Sequence, residues 1–357
     1  MAETAVAEAN GAGLDASITI LHHGDKYVVR FLKCSNAPSA VVCFEFWKAQ
    51  PSLEGEPAAE GFFRNRGINF IGILAADNDW FQHPEINAAL AAIRAATEGY
   101  DLIGYGGSMG AYAGINFADR LGLRRVIAIC PQYSIDEKRV PTELRWRAEA
   151  ARIMANGGFS QDRIDEVSPP ARGWIIYDPG GVDRHHADAI QSRHHLMRVP
   201  VCFARHHEMR MLQQCNLLTP MLAEMLADRF DAADFRRRLR IARRQSAVFW
   251  VNLSAALLER KHFATALAAI RQARALPHPE PGEIDLQEAR VSAALGNHAG
   301  ALALAAPWTN DPAWSWAAVP LVDHVHAAMA VAPRPLVESA RRGWTLREWW
   351  RRKQRNS

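Results

Sequence analysis

Five residues near the end of the first third of the chain limit what it can fold into. Gly106-Gly107-Ser108-Met109-Gly110 fits the pattern G-x-S-x-G. The flanks give the match its meaning. Asp101-Leu102-Ile103-Gly104-Tyr105 reads as a short buried strand, and residues 111–121 carry Ala, Tyr, Ile, Phe and Leu at helical spacing. Strand, sharp turn and helix together form the setting in which a nucleophilic serine stands exposed at a turn. Such a turn leaves no room for a side chain at positions 106 and 110, so glycine is required at both. The backbone N–H of Met109 then points where an oxyanion would form. The competing reading is a phosphate-binding loop. No Lys-[Ser/Thr] follows the glycines, which excludes a P-loop, and G-x-G-x-x-G is matched only loosely.

At 357 residues the chain is long for one domain and suits two. Hydrophobic residues make up 49% and charged residues 22%, the balance of an ordinary globular protein. No apolar run approaches the ~20 residues of a membrane-spanning helix. Residues 1–16 have neither a basic start nor a long apolar core, so they are expected to be a flexible tail rather than a secretory signal. Cys34, Cys43, Cys130, Cys202 and Cys215 show no close pairing. An odd number with no framework points to a reducing compartment, hence the cytoplasm. The net charge of +4 is too small to imply a nucleic-acid partner.

Strand patterns recur at 17–21 and 26–32, a hairpin around His22-His23-Gly24-Asp25, and then at 40–47, 67–74, 101–105, 124–130, 172–177 and 199–204. Helical sequence separates the later ones. This alternation predicts an α/β fold, a mainly parallel doubly wound sheet with helices on both faces. Ligands in such sheets sit at the carboxyl ends of the strands.

Residues 18–227 resemble the α/β-hydrolase superfamily, through the serine turn and the order of elements. The resemblance implies a nucleophile, an acid and a base in the chain order Ser, Asp/Glu, His. Ser108 is the nucleophile. The acid is Asp183, beyond a Pro-Gly-Gly turn, with Asp178 at the strand end as the alternative. The base is His207, followed by a helix start, with His206 as the alternative. A serine hydroxyl is a poor nucleophile at neutral pH until a histidine takes its proton, and the carboxylate fixes the tautomer of that ring. Two oxyanion donors are expected, the N–H groups of Met109 and Trp47. Family members often carry His-Gly before the second donor, where this chain has Glu45-Phe46. The implied activity is cleavage of an ester, thioester or amide through an acyl-serine, with acyl transfer as the alternative. The substrate is a small molecule bearing an acyl or glycan group, and no cofactor is required. Residues 134–170 lie where such folds insert a cap. Trp146 and Met154 within them either line a pocket or pack on the sheet.

Four histidine pairs, at 22–23, 185–186, 194–195 and 206–207, raise the question of a metal. No H-E-x-x-H occurs and the pairs match no ligand spacing, so no metal is expected.

The composition changes after residue 227. Residues 228–245 form a basic linker helix. Residues 246–307 resemble two tetratricopeptide repeats, with Ala266 and Ala301 standing 35 positions apart at small-residue contacts. Residues 308–357 are read as further helices ending in a tail rich in Trp and Arg. A protein partner on the repeats is expected, or else a scaffold role for the whole chain. Contact of the tail, from Trp344 onward, with a membrane surface or an anionic polymer is a further expectation.

Overall fold

The computed structural model describes residues 16–168, 172–277 and 280–330. The tail expected over 1–16 falls outside them except for its last residue, as does the whole Trp/Arg tail. The chain divides into two compact units, Met1–Pro200 and Val201–Ser357.

The first unit is built on eight strands: β1 (Ser17–His23), β2 (Tyr27–Lys33), β3 (Ser39–Phe44), β4 (Phe70–Ala75), β5 (Asp101–Gly107), β6 (Leu123–Ile129), β7 (Arg172–Tyr177) and β8 (Met197–Pro200). They form one sheet in the order β1-β2-β4-β3-β5-β6-β7-β8. The β1–β2 hairpin and the β2–β4 pair are antiparallel, and every pairing from β4 to β8 is parallel. All six residues of β4 are buried. Successive strand side chains point to opposite faces, so both faces of the sheet are covered there, which is why the strand reads as an unbroken apolar run. The register of β1 shifts between Ile20 and His22, a bulge in the outermost strand. The fold is the expected α/β class, with an all-helical region after the sheet.

Most strand ends differ from the sequence reading by one to three residues, and two apolar runs stop well short of it. The apolar run 40–47 leaves the sheet after Phe44, although the Glu45 N–H still donates to the Ile73 carbonyl at 3.0 Å. The run 199–204 belongs to β8 only as far as Pro200. Its neighbour β7 ends at Tyr177, opposite Pro200, so no ladder remains for residues 201–204.

In the second unit, helices Ala247–Glu259 and Phe263–Arg274 pack as a pair, and Pro281–Ala294 and His298–Ala305 as another. Ala266 and Ala301 are fully buried, one in the second helix of each pair. Ser315–Ala330 packs against the second pair through Ala317, Ala318, Leu321 and Val325. No helix among the described residues is long and apolar enough to cross a membrane.

Candidate active site

Ser108 occupies the turn between β5 and the helix Met109–Asn116, with φ 51° and ψ −118°. That conformation is costly for any residue with a side chain, and it persists only where its surroundings enforce it. Here the enforcement is visible. The Ser108 N–H donates to the Ile129 carbonyl of β6 at 2.9 Å, and its carbonyl accepts from the Tyr112 N–H at 3.0 Å. A Cβ on Gly106 would lie 2.6 Å from the Gly110 carbonyl carbon, and one on Gly110 would lie 2.3 Å from the Phe44 carbonyl oxygen. Both glycines are therefore needed to close the turn. The second contact also places the end of β3 against the start of the helix. Met109 is the first helical residue, so no helical carbonyl precedes it to accept its N–H.

The Ser108 side chain is partly exposed, and its Oγ accepts a hydrogen bond from Gln132 Nε2 at 3.0 Å. Gln132 is fully buried just beyond the end of β6. Its Oε1 accepts from Trp80 Nε1 at 3.4 Å, and Trp80 comes from the loop after β4. Trp80, Phe81, Ser108 and Cys130 all hold positive φ, between 43° and 58°. They follow the ends of three strands, β4, β5 and β6. Strained backbone of this kind gathers at functional sites. Gln132 was not singled out from sequence. The available signal was its place: Pro131-Gln132 ends a strand at the edge where α/β sheets bind ligands.

Aromatic side chains line the same edge. The Trp80 and Trp146 rings lie 5.3 Å apart, and Trp146 and Trp47 lie 5.8 Å apart. Trp146 thus packs on residues of the sheet edge, and Trp47 Nε1 donates to Glu149 Oε1 at 3.0 Å in the same insertion. Met154 is exposed. In the loop after β3, the buried Glu45 carboxylate pairs with Lys48 Nζ at 2.8 Å. The Lys48 N–H donates to Asn78 Oδ1 at 3.1 Å, which ties that loop to the one after β4.

Asp178 and Asp183 are both buried. Asp178 Oδ1 accepts from the Gly180 N–H at 2.8 Å, closing the turn after β7. Asp183 opens the helix Asp183–His194, and its Oδ1 accepts from Arg145 Nη2 at 2.7 Å. Arg145 also holds Glu143, its Nε donating to Glu143 Oε1 at 2.9 Å. Glu143 in turn meets His186 Nε2 at 2.8 Å. Burial pushes the Glu143 carboxyl up, but the hydrogen bonds from His186 and Arg145 outweigh it and hold it down at about 2. His186 Nδ1 accepts from the Tyr133 N–H at 3.0 Å, so in the neutral ring the proton sits on Nε2, facing Glu143.

The histidines of this unit with contacts to neighbouring elements are engaged in them. Both nitrogens of His186 are used, His194 Nε2 meets the Ile164 carbonyl at 2.9 Å, and His185 Nδ1 meets Thr142 Oγ1 at 3.1 Å. His22 Nε2 meets Glu85 Oε1 at 3.1 Å. His185 and His186 turn to different partners. Among the described residues, no three His, Cys, Asp or Glu side chains gather as a metal site. His206 and His207 lie beyond Pro200, in the second unit, where His207 immediately precedes the helix Glu208–Gln214.

No protein-family model matches the sequence, and no curated protein matches it. Solved structures do resemble it. The capsule O-acetyltransferase of Neisseria meningitidis serogroup A is 9% identical with a TM-score of 0.41, over 58% of this chain and 94% of that one. XC6422 from Xanthomonas campestris, described as an α/β serine hydrolase without a lid, is 20% identical with a TM-score of 0.35, over 64% and 94%. Est1E from Butyrivibrio proteoclasticus is 13% identical with a TM-score of 0.41, over 60% and 98%. Independently of these, the strand order of this chain and its serine turn after β5 are those of an α/β-hydrolase fold.

Proposed function

We propose that the chain is a serine hydrolase that cleaves an ester, thioester or amide through an acyl-Ser108 intermediate. One observation carries the reading: a partly exposed serine is held at a strained strand-to-helix turn with an amide donor on its Oγ. Because Oγ accepts from Gln132, the hydroxyl proton is left to be given to a base. The base is His207, with His206 as the alternative. Their favour rests on chain order, in which the base follows the nucleophile and the acid. The acid is Asp183, with Asp178 as the alternative. Attack on a carbonyl would give a tetrahedral oxyanion facing the Met109 N–H, the first free donor of its helix. The Trp47 N–H is the second donor, favoured by the close approach of the end of β3 to Gly110. Collapse with water releases the acid, and collapse with another hydroxyl is acyl transfer by the same residues. The substrate is a small acyl or glycan compound, and the thiols of Cys34, Cys43 and Cys215, buried and free, suit a reducing compartment such as the cytoplasm.

A fluorophosphonate probe tests this directly. The wild-type chain is expected to label and Ser108→Ala is not. A folded wild-type chain that never labels would overturn the proposal. It would favour the second reading, a scaffold whose tetratricopeptide-like helices dock a protein, supported by the paired helices and the buried Ala266 and Ala301.

A further inference from the structure

The helical unit contains a pocket of about 280 Å³ that the reading above does not use. It lies where helices Ala247–Glu259, Pro281–Ala294, His298–Ala305 and Ser315–Ala330 meet. Leu258, Leu321 and Val325 supply its apolar wall. Its polar groups are Arg290, His298 and His324, and no carboxylate lines it.

One of these groups is left wanting a counter-charge. The Nδ1 of His298 also lacks a hydrogen-bond partner, but it is shut off from solvent and so does not face the pocket. Arg290 is half-buried, and no ion pair to it occurs among the described residues, although Arg210 and Arg274 of the same unit each pair with acids of the helix that carries Arg290. Burial, with a smaller repulsion from Arg205, pulls the Arg290 guanidinium below its usual range. A half-buried cation without a counter-charge is partly desolvated at a cost, and an anion entering beside it offsets that cost.

We propose that this pocket binds a small organic carboxylate with an apolar body. One guanidinium matches a single negative charge, and its fork matches the two oxygens of a carboxylate. The imidazoles of His298 and His324 add polar contacts at the head, and the leucine and valine wall takes the tail. A water-sized group occupies about 30 Å³, so the pocket holds roughly nine such groups. Carboxylates of six to eight carbons and benzoate are of that size.

Isothermal titration of the full-length protein with hexanoate, hexanol, hexylammonium and hexyl phosphate tests the assignment. Hexanoate is expected to bind at least tenfold more tightly than hexanol, with no binding of hexylammonium. Arg290→Gln is expected to weaken hexanoate at least tenfold and to leave hexanol unchanged. Ala328→Phe, which narrows the pocket at an exposed position, is expected to weaken both and serves if Arg290→Gln does not fold. The proposal is overturned if hexanoate does not bind at millimolar concentration, or if hexanol binds equally well. Tighter binding of hexyl phosphate overturns it too. So does unchanged hexanoate affinity in Arg290→Gln, the result expected if hexanoate were held at Ser108 instead.

Discussion

A side-chain amide on the Oγ of a serine does two things. It fixes the rotamer of the hydroxyl, and it occupies one lone pair so that the proton points elsewhere. Gln132→Leu keeps the volume and removes the donor. Loss of one neutral hydrogen bond costs about 1 kcal/mol, which is about fivefold in rate. The fluorophosphonate labelling rate of Gln132→Leu is therefore expected to fall about fivefold, and the thermal midpoint to fall as well, because the buried Trp80 Nε1 loses its acceptor. An unaltered rate would show that Gln132 only fills space. Ser108 was legible in the sequence because every requirement of its turn is local: a strand before, glycines at 106 and 110, a helix after. Gln132 was not, since its one local signal, a place just past a strand end, marks an edge of the sheet but names no partner. It meets Ser108 only because β5 and β6 lie side by side.

The insertion between β6 and β7 is fastened to the helix Asp183–His194 by a run of hydrogen-bonded polar side chains: His186, Glu143, Arg145 and Asp183. Sequence reading placed a cap there and marked Asp183, but Glu143 and Arg145 lie some forty residues from their partners and carried no local signal. The strands were legible as apolar runs, whereas their ends were not, because a strand stops where its neighbour stops. The cluster has an acid signature. In the unfolded chain Glu143 takes up a proton near pH 4.3, and in the folded chain only near 2. Its contribution to stability is thus complete above about pH 4.3 and is lost as the pH falls towards 2. Glu143→Gln is expected to lower neutral-pH stability by about 3 kcal/mol, the cost of breaking a buried pair. It is also expected to flatten the decline in stability between pH 4 and 2. Denaturant unfolding across that range checks both, and a variant with the wild-type acid slope would exclude Glu143 as the source.

For the whole molecule, the division at Pro200 separates Ser108, Asp178 and Asp183 from His206 and His207 along the chain. If the base comes from 206–207, a chain ending at Pro200 cannot be activated, however well its sheet folds. Such a truncated chain is expected to keep the circular dichroism of an α/β protein and to lose fluorophosphonate labelling. Labelling at the full-length rate would place the base among the first 200 residues. The sheet has one more consequence at this scale. Its two outermost strands are poor templates for another strand: β1 is bent by its bulge, and β8 has four residues and ends in a proline without an N–H. The bulge and the proline therefore work against copies of the chain stitching themselves together ribbon to ribbon at high concentration, while the exposed Ile18 and Ile20 of β1 work the other way.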